Sequence, residues 1–366
     1  MLASQRALPA AVALLLALCA LPACQHSQQQ STSGQPALPT TSTPSTGSTP
    51  AAGGATADSG ATKRVAVVFG ATENDPWTGA MLAEIANACG VDPLSKGTTE
   101  SGLDAFGPYD VKLKGHPVEL HVALCDFSGT ADIQAQQKLG ELARKWVTDL
   151  KPDVVWLDSD PVQLNVGSQL DPALPIVYSG VEVESDVYYD AARAACGVAR
   201  KPSLTRAMGE LWKVAPNATH VALVCDDSAL GLSRVTEIRA LEPALPKGTT
   251  FVTQPPVKTW AELHKLLAGL DKGIDGVIVT AMGAHGSRIL ESGKPCPADL
   301  LKGVKPPVLT LGPTSMDNSG ALSLRIKPDA HAQAVITMLG KVLDGTKPSA
   351  IPTEIPDDME LFKNER

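Results

Sequence analysis

Aromatic residues make up only 4% of the 366, and Lys and Arg total 31 against 39 Asp and Glu, a net charge of −8 with no basic run. A phosphate backbone is held by clustered cations, so nucleic acid is not an expected partner. None of the seven cysteines forms a CxxC pair, none lies near a histidine at zinc-ligand spacing, and no histidines stand as H-x-x-x-H. No metal and no cofactor is therefore expected. The chain also lacks a phosphate loop, a strand-borne G-x-G-x-x-G and the G-x-S-x-G turn of hydrolases. The expectation is a protein that is not an enzyme. Triads assemble in space, so a surface-anchored hydrolase stays as the third alternative.

What is present begins with Arg6 and the apolar run Ala10 to Leu21. About a dozen apolar residues are too few for a permanent membrane span but suit a secretory signal. The Leu21-Pro22-Ala23-Cys24 that closes it resembles a bacterial lipobox, which makes residues 1–23 a lipoprotein signal peptide and Cys24 the lipid anchor. Residues 25–62 are almost all Ser, Thr, Pro, Gly, Ala and Gln, with Leu38 the one larger aliphatic. Such a composition buries too little apolar surface to order itself, so 24–62 reads as a lipidated cysteine and disordered tether. The expected location is the cell envelope, facing the periplasm or the exterior. Five cysteines remain beyond the anchor (Cys89, Cys125, Cys196, Cys225 and Cys296), either buried as small apolar residues or including one disulfide.

From residue 63 onward, strand and helix patterns alternate. β-Branched runs stand at 65–69, 118–124, 154–157, 176–178, 220–224, 250–252, 277–279 and 308–311. Apolar residues at three- and four-residue spacing predict helices over 133–150, 204–212 and 328–343. Alternation of this kind implies α/β lobes with doubly wound parallel sheets, or a closed (β/α)₈ barrel. Two similar blocks favour two open sheets: Val65–Phe69 runs into Gly70-Ala71-Thr72-Glu73, and Val221–Val224 into Cys225-Asp226-Asp227-Ser228. Ligands of open sheets bind beyond such strand ends. The expected division is 63–182 plus 321–346 for lobe one and 183–320 plus 347–366 for lobe two, with hinges near 181–186, 313–320 and 346–351.

Trp77-Thr78-Gly79-Ala80, Asn87-Ala88-Cys89-Gly90, the hairpin over 111–120, Leu311-Gly312-Pro313 and the tail from Leu343 to Pro352 resemble the type I periplasmic solute-binding proteins of ABC importers, the leucine-binding-protein class and its lipoprotein branch. The resemblance implies two lobes joined by crossover segments. It further implies a small-molecule solute, amino acid or other polar organic compound, held between the lobes, and an ABC permease as partner of a monomer. The family's carboxylate-binding serine corresponds to Ser159, here flanked by Asp158 and Asp160; its aromatic falls near Ala229 or Leu230, its ammonium-pairing acid at Thr314, and a second aromatic at Met282.

The expected site therefore comprises Trp77, Asp158, Ser159, Ser179, Gly180, Glu182, Asp226, Asp227, Met282 and Thr314. Its acids favour a neutral polyhydroxy or amide solute, or a cationic one, over an anion. Trp77 reads equally as an anchor for its own helix, and Asp160 as the N-cap of the next one, with Pro161 at the first helical position. A ligand-sensing receptor of the same fold is the alternative to a transport role.

Overall fold

The computed structural model describes residues 61–91, 97–98, 103–127, 130, 132–182, 185–190, 193–227, 229–245, 248–270, 272–280, 297, 299–311, 322–356 and 358–363. The signal, Cys24 and the tether up to residue 60, with Met282, Thr314 and Cys296, lie outside them. Among the described residues no helix is long and apolar enough to cross a membrane.

Two sheets form. In the first, β1 (Lys63–Phe69), β2 (Gly97–Thr98), β3 (Asp104–Leu113), β4 (His116–Leu124), β5 (Val154–Asp158), β6 (Ile176–Val181) and β7 (Ala195–Ala199) run in the order β2-β3-β4-β1-β5-β6-β7. The second has β8 (His220–Cys225), β9 (Thr250–Thr253), β10 (Gly276–Thr280), β11 (Val308–Leu311), β12 (Leu322–Ile326) and β13 (Met359–Lys363) in the order β13-β12-β11-β10-β8-β9. Pairing is parallel from β4 to β7 and from β9 to β12; antiparallel strands occupy one edge of each sheet. Every sequence-predicted strand is present, and the architecture is two doubly wound α/β lobes.

Seven helices cover these sheets among the described residues: α1 (Pro76–Cys89), α2 (Ile133–Leu150), α3 (Asp160–Asn165), α4 (Leu204–Val214), α5 (Ala229–Ala240), α6 (Trp260–Ala268) and α7 (Pro328–Leu343). Side chains alternate across a strand, so β1 feeds two cores. Val65, Val67 and Phe69 pack with Met81 and Ile85 of α1 and Val335 and Leu339 of α7. Ala66 and Val68 pack with Ala143 and Val147 of α2 on the other face. Both faces buried is what the near-continuous apolar strands require. Local caps set the helix starts: Asp75 accepts from the Thr78 amide at 2.9 Å ahead of Pro76, and Gly90, at φ 66, closes α1.

The expected lobe boundaries need correction. β7 belongs to the first sheet although 183–320 was assigned to lobe two. Its residues, Ala195-Cys196-Gly197-Val198-Ala199, are too small to read as a strand, because the Tyr178 ring packs on them: a Cβ on Gly197 would lie 2.3 Å from it. β12, assigned to lobe one, pairs with β11 and β13 in the second sheet. The chain therefore crosses at 200–203, at Lys327 and at 355–358, not at the three hinges expected. These crossings lie side by side, with Ala199 N–H bonded to Glu354 O at 2.9 Å and Lys327 N–H to Asp358 O at 3.0 Å.

Cys89, Cys125, Cys196 and Cys225 are free thiols. Burial pushes them up to about 11, 12, 12 and 11, so they serve as small apolar residues.

Candidate functional site

The C-terminal end of β5 gathers a group of polar side chains. Asp158 closes the strand at 1% exposure, and Ser159 then turns the chain with φ 78 and ψ 153. That conformation is costly for a residue with a Cβ. The Ser159 amide still bonds Ser179 O at 2.8 Å, yet its hydroxyl is buried with no hydrogen-bond partner. It packs on Gly70, where a Cβ would come within 2.1 Å of the oxygen. Ser159 is the N-cap of α3, which displaces Asp160 to the first helical position. The N-cap reading of Asp160 is thus off by one residue: its carboxylate instead accepts the Glu182 amide at 3.0 Å and the Tyr188 hydroxyl at 2.8 Å.

Asp158 faces inward. Its Oδ1 accepts from Ser179 Oγ at 2.6 Å and from the Trp77 indole at 3.4 Å, while Ser179 Oγ accepts from Trp156 Nε1 at 2.6 Å. Burial pushes the Asp158 carboxyl up to about 6, although the Ser179 hydrogen bond and the Arg200 charge pull the other way. Gly180, at φ 63, is what makes room: a Cβ there would sit 2.7 Å from Asp158 Oδ1. Its amide donates to His331 Nε2 of α7 at 3.1 Å. Burial, then the Arg200 charge, depress His331 to about 3, so the ring is neutral. The His331 ring meets Trp77 edge to face at 5.0 Å.

Arginines complete the group. Arg200, at the first crossing, lies with its guanidinium carbon 4.7 Å from the centroid of Trp77 and places Nη2 2.5 Å and Nε 3.2 Å from Glu182 Oε1. From the second lobe, Arg234 of α5 reaches Glu182 O at 3.3 Å and Oε2 at 3.7 Å, while its Nη1 pairs Glu237 at 2.6 Å. Sequence reasoning missed Arg200, Arg234 and His331, which come from three remote segments with no shared local pattern.

Six expected residues therefore converge: Trp77, Asp158, Ser159, Ser179, Gly180 and Glu182. The expectation of free acids needs correction, because Glu182 is paired with two arginines and Asp158 is spent on internal hydrogen bonds. Asp226 and Asp227 stand at the equivalent end of β8 in the other sheet; Asp226 is fully buried against Gly231 of α5, where a Cβ would come within 2.6 Å of Oδ1. Met282 and Thr314 lie outside the described residues, as do the side chains of Ala229 and Leu230. A groove of about 460 Å³ lies elsewhere, beside α6 and the end of β9, lined by Val252, Pro255, Pro256, Lys265 and Leu266.

No protein-family model matches the chain, and no curated protein matches it. Solved structures do. A ligand-free, open substrate-binding protein with adhesive properties from Clostridium difficile superposes with a TM-score of 0.57 at 19% identity, over 83% of this chain and 92% of that one. An ABC domain in complex with L-Trp from Streptococcus pneumoniae gives 0.53 at 16%, over 81% and 91%. A protein described as a ribose operon repressor from Burkholderia thailandensis gives 0.50 at 13%, over 82% and 99%. The chain has the two-lobed fold of type I periplasmic binding proteins. These neighbours are binding proteins and a regulator rather than enzymes, and identities this low speak to the fold alone.

Proposed function

We propose that this protein is a lipid-anchored extracytoplasmic solute-binding protein that captures a small polar organic molecule between its lobes and delivers it to an ABC importer. The observation that carries the reading is the polar group around Trp77, Asp158 and Arg200. It gathers at strand ends of lobe one beside the crossing segments, where open α/β sheets bind ligands. The chain passes between the lobes three times, which suits closure by a hinge motion. Cys24, after the apolar run ending at Leu21, supports lipidation and a place at the cell envelope, and the tether over 25–62 supports a domain held clear of the membrane. The fold-level neighbours that are substrate-binding proteins, one of them holding L-Trp, make amino acids the first solutes to try.

Native mass spectrometry of the purified protein, followed by calorimetry against amino acids, polyols and cationic amines, tests the reading. One compound binding at a 1:1 ratio is the expected result. No binding across the panel together with no co-purified molecule would overturn it. A receptor that signals occupancy to a membrane partner is the second reading, favoured by the fold shared with a regulator. The two separate on whether solute uptake is lost when the gene is deleted.

A further inference from the structure

Glu182 is held on the lobe-one side by Arg200, at 2.5 and 3.2 Å to Oε1, and by Asp160, whose carboxylate takes its amide at 3.0 Å. Arg234 approaches it from the second lobe, 3% exposed, with the longer contacts of 3.3 and 3.7 Å. On its own helix Arg234 is secured by Glu237 at 2.6 Å. The weakest link of the series Glu237, Arg234, Glu182, Arg200 is thus the one that crosses between lobes. We infer that Glu182 and Arg234 form a breakable latch that holds the lobes in this arrangement.

Breaking a buried ion pair is expensive when it strands a charge. Here rupture strands none: Glu182 keeps Arg200, and Arg234 keeps Glu237. The contact is therefore built to open without leaving an unpaired ion in either lobe. It is also connected to the candidate site, because Arg200 stacks on Trp77 and Trp77 bonds Asp158. A solute that displaces Arg200 from the indole alters the hold on the carboxylate that Arg234 shares. The latch thereby weights the balance of lobe arrangements on which a solute acts. This link to solute rests on the function proposed above; the latch itself does not.

The test is the distance between spin labels in the full chain in detergent, without added solute. Labels go on ketone-bearing residues introduced at Lys145 of α2 and Lys213 of α4, both exposed, so the native cysteines stay untouched. Arg234→Met is expected to lengthen and broaden the distance distribution relative to the parent; distributions that superimpose would overturn the latch. If Arg234→Met does not give the parent far-ultraviolet spectrum, Arg234→Gln is read the same way, since its shorter, uncharged side chain keeps a polar amide on the helix but removes the cation that faces Glu182. The parent is then measured with the solute panel. A panel compound that shifts the parent while Arg234→Met matches it removes the latch and leaves the binding function standing. No response to any compound, with Arg234→Met lengthened, does the reverse.

Discussion

The guanidinium carbon of Arg200 lies 4.7 Å from the centroid of the Trp77 ring, so a partly buried cation covers one face of the indole in the candidate site. The same ring meets His331 edge to face at 5.0 Å and donates to Asp158 at 3.4 Å. A solute gains that face only by displacing Arg200.

The stack predicts energetic coupling. A cation–π contact is worth roughly 0.5–1 kcal/mol when exposed and about 2 when desolvated, and this partly buried one falls between. Arg200→Met, Trp77→Leu and the double variant, compared by urea unfolding, should show a coupling energy of about 1–2 kcal/mol. Arg200→Met alone should cost about 3 kcal/mol or more, because Glu182 then depends on the longer Arg234 contact. Additive losses in the cycle would mean that ring and guanidinium are merely adjacent.

Two buried groups should tilt the pH dependence of stability in opposite directions. Asp158 is raised from 3.8 to about 6, so the fold binds its proton more tightly than the unfolded chain. Its contribution is fully present below pH 3.8 and is lost as pH rises through about 6, a change of order 2–3 kcal/mol. His331 is lowered from 6.5 to about 3; its contribution is present above pH 6.5 and is lost as pH falls toward 3, by order 4–5 kcal/mol. Between roughly pH 4 and 6 the two slopes oppose each other. Asp158→Asn should therefore steepen the loss of stability on acidification, and His331→Gln should flatten or reverse it, both read from urea midpoints. Parallel profiles for the parent and both variants would contradict this assignment.

Much of this was legible in the sequence because the signals were local. The predicted strands are β-branched runs, and the helices over 133–150, 204–212 and 328–343 repeat apolar residues on one face. Trp77, Asp158, Ser159, Ser179, Gly180 and Glu182 could be singled out because they sit at helix starts or at the C-terminal ends of strands, which the topology gathers. β7 escaped because Tyr178 demands small residues beneath it, and small residues carry no strand signal. Arg200, Arg234 and His331 escaped for a different reason: their roles depend on a contact across the crossings, which no spacing records. The charge argument failed with them, since acids read without their arginines look free.

Gly180 should not tolerate a side chain. Its φ of 63 is unfavourable for other residues, and a Cβ would press to 2.7 Å on the carboxylate that Trp77 and Ser179 share. Gly180→Ala is expected to cost about 2 kcal/mol or more and to disturb the Trp77 environment, visible as a change in tryptophan emission. A variant as stable as the parent, with unchanged emission, would show that the backbone here relaxes freely.

Ser159 supplies the sharpest separation of stability from function. A non-glycine residue at φ 78 and ψ 153 stores strain, and its buried hydroxyl gains nothing from a hydrogen bond in return. Ser159→Gly relieves both. The gain is offset by the greater freedom of glycine in the unfolded chain, so the net stabilisation expected is about 1 kcal/mol. If strain is kept here because the hydroxyl meets solute, the same variant should bind the cognate compound more weakly while melting higher, the trade expected at binding sites. Urea unfolding and calorimetry on one preparation give both readings. A variant that is less stable than the parent would show that the turn at Ser159 is held by its side chain and carries no stored strain.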